Sequence, residues 1–126
     1  MAEEKNLENR VKKYFHSIGI YPAGCPEQNR KTEQIGWYFK MWGGGMQRAG
    51  IPDLICCVNG HFLAVELKAQ NGRVSDLQEL NLDLIRGAYG NATVLYPSGF
   101  DQFKEDLDSL IELWPDIDME MEYTYK

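Results

Sequence analysis

Long hydrophobic runs are missing from this chain. The longest, such as Leu54 to Val58, fall far short of the ~20 apolar residues that a bilayer-spanning helix needs. Cysteine is scarce: there are 3, an odd number, and Cys56 and Cys57 are adjacent inside an apolar stretch. That pattern suits core packing and excludes both a disulfide framework and a zinc spacing. Histidine is scarcer still, with 2 residues, His16 and His61, neither at a metal-ligand spacing. A packed or turn role is expected for both. The N-terminal Met-Ala-Glu-Glu-Lys places acids where a signal peptide carries basic residues. A reducing, cytoplasmic setting is the expectation.

An excess of positive charge is also lacking, since the formal net charge is −6. The deficit is uneven. Residues 1–99 carry a net +1 and residues 100–126 a net −7. The acidity therefore belongs mainly to the C-terminal segment, and it does not exclude a DNA partner.

The 126 residues fit one domain, with 44% hydrophobic and 25% charged residues marking a globular chain. Leu7, Val11, Tyr14, Phe15 and Ile18 recur at helical spacing, so a first helix spans about 4–18 and ends at Gly19. Residues 20–35 are polar and turn-rich and read as a surface loop. The aromatic run from Trp37 to Trp42 reads as a strand broken by Gly43, Gly44 and Gly45. Ile51–Val58 and His61–Lys68 flank Asn59-Gly60, a strong hairpin signal because both turn residues need positive φ. Ser75 to Gln78 fits a capping box opening a helix that carries Leu77, Leu80, Leu84 and Ala88. Ala92–Tyr96 is a short buried strand. Asp101 then caps a last helix bearing Phe103, Leu107, Leu110 and Ile111, which stops before Pro115. The order αβββαβα predicts an α/β domain with a mixed β-sheet flanked by helices over residues 1–114, followed by an acidic tail, 115–126.

The chemistry concentrates on the hairpin. Side chains alternate along a strand, so Glu66 and Lys68 share one face, and Asp53 enters the partner strand opposite them. Two carboxylates so placed repel unless a cation sits between them. Hard oxygen donors without a Cys or His cluster select Mg²⁺ or Mn²⁺. Lys68 beside that cation would polarise a scissile phosphate or orient the attacking water. Each residue alone also fits a solvated strand end or a turn. The apolar run Phe62-Leu63-Ala64-Val65 before them argues for more, because charges ending a buried strand need a partner or a job. Lys40, Arg48 and Arg73 flank the predicted site and are candidate phosphate contacts. The glycines at 43–45 would admit a DNA backbone, or simply form turns. The aromatics Trp37, Tyr38, Phe39 and Trp42 suit a core better than a base-stacking platform.

Pro52-Asp53, a hairpin and Glu66-Leu67-Lys68 together resemble the PD-(D/E)XK nuclease motif. The finer likeness is to the virus-type replication-repair nuclease family (VRR-NUC), which includes Holliday-junction-resolvase-like phage proteins. It extends over about Leu7 to Ile111. The segments that carry it are Leu7 to Lys13, Trp42 to Gly45, Ala49 to Leu54, Val65 to Ala69, Ser75 to Gln78 and Val94 to Pro97. The loop between Gly19 and Gly36 is longer and more polar than in that pattern. The resemblance implies a restriction-endonuclease-like fold and a metal held by Asp53, Glu66, the Leu67 carbonyl and an acid of the first helix. Glu8, on the rim of the apolar helix face, is the chosen acid, with Glu4 one turn earlier as the alternative. It also places Gln78 near the site, where a water or phosphate could be held, although Gln78 completes the capping box in any case. The expected activity is Mg²⁺- or Mn²⁺-dependent cleavage of DNA, branched substrates such as Holliday junctions above all, by a homodimer. The competing expectations are a catalytically idle DNA-binding or partner-binding module of the same fold, and a solvated hairpin with no site.

Overall fold

The computed structural model describes residues 2–41, 49–114 and 120–126. Their elements are α1 (Ala2–Ile18), β1 (Ile20–Pro22), β2 (Gly36–Lys40), β3 (Leu54–Val58), β4 (His61–Leu67), α2 (Asp76–Gly87), β5 (Asn91–Leu95), α3 (Phe100–Leu113) and β6 (Thr124–Tyr125). The strands form one mixed sheet in the order β1 to β6. β2, β3 and β4 pair antiparallel, while β1–β2, β4–β5 and β5–β6 pair parallel. The expected mixed α/β architecture is present, with a short strand added at each edge.

Local chemistry explains the central elements. Leu7, Val11 and Phe15 form the buried stripe of α1. Gly19 ends that helix at φ +94, and a Cβ there would meet the Glu33 carbonyl oxygen at 2.2 Å, so only glycine fits. The β3–β4 hairpin turns on Asn59 and Gly60 with φ of 47 and 84, both positive as a two-residue turn requires. One face of the sheet packs under α1 and α3, where Phe15, Tyr38, Leu54, Val65, Phe103 and Leu107 share the main core. Each such side chain contributes roughly 1.5–3 kcal/mol of burial. On the opposite face α2 covers a smaller cluster, Ala64, Leu82, Ala92, Val94 and Tyr96. The strand face under α1 and that under α2 alternate residue by residue, which is why Cys56 is buried and its neighbour Cys57 exposed.

The structure departs from the sequence expectations in four places. Ile20–Pro22 is a strand, not loop, with Ile20 and Tyr21 buried; a pair of apolar residues before proline is too short to show a period. In α2 the expected stripe is outside: Leu77, Leu80 and Leu84 are 45%, 53% and 62% exposed, and Leu82 with Ile85 faces the sheet instead. Polar tethers set this rotation, because Gln78 and Asn81 reach Glu66 and the Gly50 carbonyl. The side chain of Asp101 does not cap α3; Gly99 occupies the N-cap and Asp101 lies in the first turn. Finally, the segment read as an acidic tail returns to the fold. Met121 and Tyr125 are buried in the main core, and Tyr125 Oη donates to Asp106 Oδ2 at 2.7 Å. Acidic neighbours such as Glu120 and Glu122 stay exposed and hid these two anchors.

Candidate active site

Asp53 immediately precedes β3, and Glu66 is the penultimate residue of β4. Because Leu54 pairs with Val65, Asp53 and Glu66 are the next pair along the hairpin. Alternation sends the Glu66 side chain to the face that carries α2, while Asp53, just before β3, lines a cleft against α1; the two carboxyl groups come within hydrogen-bonding reach of each other. Asp53 Oδ2 accepts from the Leu67 amide at 2.8 Å. Glu66, only 3% exposed, accepts from Gln78 Nε2 at 3.0 Å and lies 3.3 Å from Lys68 Nζ. Lys68 Nζ donates to Gln78 Oε1 at 2.8 Å.

The expected capping box is formed. Ser75 Oγ accepts from the Gln78 amide at 3.2 Å, and Gln78 Oε1 accepts from the Ser75 amide at 2.9 Å. Gln78 therefore caps α2 as expected and, in a tie the sequence did not anticipate, also binds Glu66 and Lys68.

Burial, followed by the Asp53 charge, pushes Glu66 up to about 7, against the pull of Lys68. Asp53 is also raised, by burial first, although the Leu67 amide favours its ionised form. Two acids this close and this dry cannot both ionise freely without a cation. The donor set fits one: the carboxylates of Asp53 and Glu66 and the Leu67 carbonyl are hard oxygens suited to Mg²⁺ or Mn²⁺. Among the described residues no three His, Cys, Asp or Glu side chains gather as a metal-holding group. The set thus rests on two carboxylates and a backbone oxygen.

Glu8 stands apart from that pair. It shares with Asp53 a cleft of about 180 Å³ that Glu4, Lys5, Lys40 and Leu67 also line. Its own oxygens, however, are committed to lysines: Oε2 to Lys12 at 2.7 Å and Lys5 at 3.2 Å, and Oε1 to Lys40. Burial opposes its ionisation, but hydrogen bonds from Lys12, Lys40 and Lys5 outweigh it and hold Glu8 down at about 2. Glu4, the alternative helical acid, is half-buried on the cleft wall.

Of the expected DNA contacts, Lys40 is brought into the cleft, whereas Arg73 is exposed on the loop between β4 and α2 and does not line it. Arg48, Trp42 and Gly43 to Gly45 lie outside the described residues. The aromatic run divides by strand alternation. Tyr38 packs on Phe15 in the core, and Trp37 and Phe39 meet on the other face, with Trp37 40% exposed. His16 packs against Tyr21 and His61 stacks on Trp114. Lys5 and Lys12 went unnoticed in the sequence, although their spacing from Glu8, three residues before and four after, already places them on one helix face.

A mixed sheet flanked by helices, with paired carboxyls at the end of a hairpin and a lysine two residues on, defines the restriction-endonuclease-like fold. A family model described as the VRR-NUC domain matches residues 30–98, more than half of the 126 residues, and the chain belongs to this nuclease family. The matched span holds Asp53, Glu66, Lys68 and Gln78 and leaves out α1 with Glu8. No curated protein and no solved structure matches the chain.

Proposed function

We propose that this protein is a divalent-metal-dependent endonuclease that hydrolyses DNA phosphodiesters, favours branched DNA such as Holliday junctions, and acts as a homodimer in the cytoplasm of a bacterial or phage-infected cell. The observation that carries the reading is half-buried Asp53 paired with buried Glu66, with Lys68 fixed 3.3 Å from Glu66. Asp53, Glu66 and the Leu67 carbonyl would hold Mg²⁺ or Mn²⁺, which supplies Lewis acidity toward a phosphate oxygen and makes water a better nucleophile. Lys68, aligned by Gln78, adds a fixed positive charge beside the phosphate, where negative charge develops during displacement. The site is part-buried, so that charge acts with little screening by water. A domain of this size offers one such site, and cutting both strands of a junction calls for two copies.

The test is cleavage of a panel of four-way junction, flap, nicked and linear duplex DNAs with Mg²⁺ or Mn²⁺, with Asp53→Asn as control. Junction cleavage that needs metal and Asp53 supports the reading. If Asp53→Asn cuts at the normal rate, the site is assigned wrongly; if linear duplex is cut as fast as junctions, the substrate preference falls.

A further inference from the structure

The fold leaves most of its exposed large apolar side chains on one side. Among the described residues there are eight, and six of them, Trp37, Phe62, Leu77, Leu80, Leu84 and Tyr89, lie on the side of the sheet that carries α2. Trp37, Cys57 and Phe62 are register partners across β2, β3 and β4, so they form one row on that face. α2 packs over Ala64, Ala92 and Val94 on β4 and β5, and beside it Trp37 and Cys57 stay exposed. Along the helix, Leu77, Leu80, Leu84 and Ala88 recur at helical spacing and make a ridge. Between the end of that ridge and β4 lies a groove of about 460 Å³, lined by Phe62, Ile85, Ala88 and Tyr89 among others. Tyr89 takes φ 67, the left-handed conformation that favours glycine, and holds its ring 90% exposed. A bulky residue kept in a strained backbone with its ring in water points to a partner outside the fold.

The open parts of the six side chains amount to roughly 700 Å², above the ~300–600 Å² patch of an ordinary monomer and near the ~800 Å² a side of a stable interface. The ridge carries no cation, since Arg86, the basic residue of α2, turns away to the Ala92 and Tyr123 carbonyls. Without basic side chains to meet phosphates, the face suits protein and not nucleic acid. A second copy of the chain fits it, because ridge and groove occur together on one surface. A two-fold axis seats the Leu77–Leu80 end of each ridge in the Tyr89 groove of the other copy, the self-complementarity that an isologous contact needs. It also runs the two α2 helices antiparallel, with the positive end of each dipole toward the negative end of the other.

We propose that the outer face of α2, with Phe62 and Trp37 beside it, is the surface through which two copies of this chain pair. The proposal rests on the homodimer in the nuclease reading above and names its contact surface. Gln78, which binds Glu66 and Lys68, stands on the first turn of the same helix. Pairing therefore joins the two sites through one seam, at opposite ends of a helix about 18 Å long.

Sedimentation equilibrium of the full chain, without DNA or metal, measures the pairing. Wild type should be dimeric at micromolar concentration. Leu80→Lys/Leu84→Lys should raise the dissociation constant by about 100-fold or more, since leucines leave the contact and charges enter it from both copies. Both leucines are more than half exposed, so the monomer fold should survive. Gln102→Lys/Ser109→Lys adds the same charge at exposed positions of α3 and should stay dimeric. Should the lysine pair not fold, Tyr89→Gly decides. Glycine takes that φ freely, so circular dichroism should be unchanged while pairing weakens about tenfold or more. A monomeric wild type, a lysine variant that stays paired, an equal loss in the α3 control, or full-strength pairing in Tyr89→Gly overturns the proposal. The first of these leaves the face to a different protein. Dimers split by the lysines, with no cleavage of any DNA by wild type, sink the nuclease and keep the surface. A wild-type monomer that cuts DNA with metal sinks the surface and spares the active site.

Discussion

Replacing Asp53 by Asn should abolish cleavage and yet stabilise the metal-free protein at alkaline pH. Glu66 rises from 4.5 to about 7, burial being the larger cause and the Asp53 charge the second. At about 1.4 kcal/mol per pH unit, ionising Glu66 in the folded protein costs about 3 kcal/mol more than in the unfolded chain. The share that Asp53 adds is the smaller one, on the order of 1 kcal/mol. The sign follows from the direction of the shift. A carboxyl raised in the folded state stabilises below its unfolded value, and that contribution drains away as pH climbs from 4.5 through about 7. Asp53, also raised, adds in the same direction. Urea unfolding in EDTA should therefore show wild type losing stability between pH 5 and pH 8, and Asp53→Asn losing less. At pH 8 the variant should be about 1 kcal/mol the more stable, and at pH 5 equal or slightly weaker, because the new amide oxygen can still accept from the Leu67 amide. Added Mn²⁺ should reverse the ranking at pH 8, since only wild type gains from a bound cation. Equal destabilisation by Asp53→Asn at both pH values would refute the repelling pair.

Lys68→Ala should leave Mn²⁺ affinity unchanged or slightly raised, since an ammonium beside a cation is unfavourable, while cleavage falls by roughly 10²-fold or more; normal cleavage returns Lys68 to a structural role. Gln78→Ala should lower unfolding free energy by about 1–2 kcal/mol through the lost cap and also depress cleavage through Glu66 and Lys68. A purely thermal effect would confine Gln78 to capping. Tyr125→Ala should cost about 3 kcal/mol by chemical denaturation, because the ring packs on Phe103 and the hydroxyl on Asp106. A neutral result would return residues 120–126 to the status of a dispensable tail.

What could be read from sequence was local. Asn59-Gly60 dictated the hairpin, and the hairpin with strand alternation brought Asp53, Glu66 and Lys68 together, because those constraints act between neighbours. The rotation of α2 was hidden, since it depends on Gln78 and Asn81 finding partners far along the chain. So was the return of Tyr125, which pairs with Leu95 and contacts Asp106 only after the rest has folded. Glu8 illustrates the limit for the site. Helix geometry placed it correctly at the rim, but its third lysine, Lys40, comes from a strand 32 residues away.

The edges of the sheet bear on how two copies could meet. β1 offers three residues ending in Pro22, which has no amide hydrogen to donate, and β6 offers two. Edges this short give an incoming strand almost no ladder to extend, a common safeguard against runaway strand addition. Two copies of this chain would therefore not join by running their sheets together. Their contact would fall to side chains on helices or on the sheet faces, and a substitution meant to separate the copies belongs on those surfaces, not on the edge backbone.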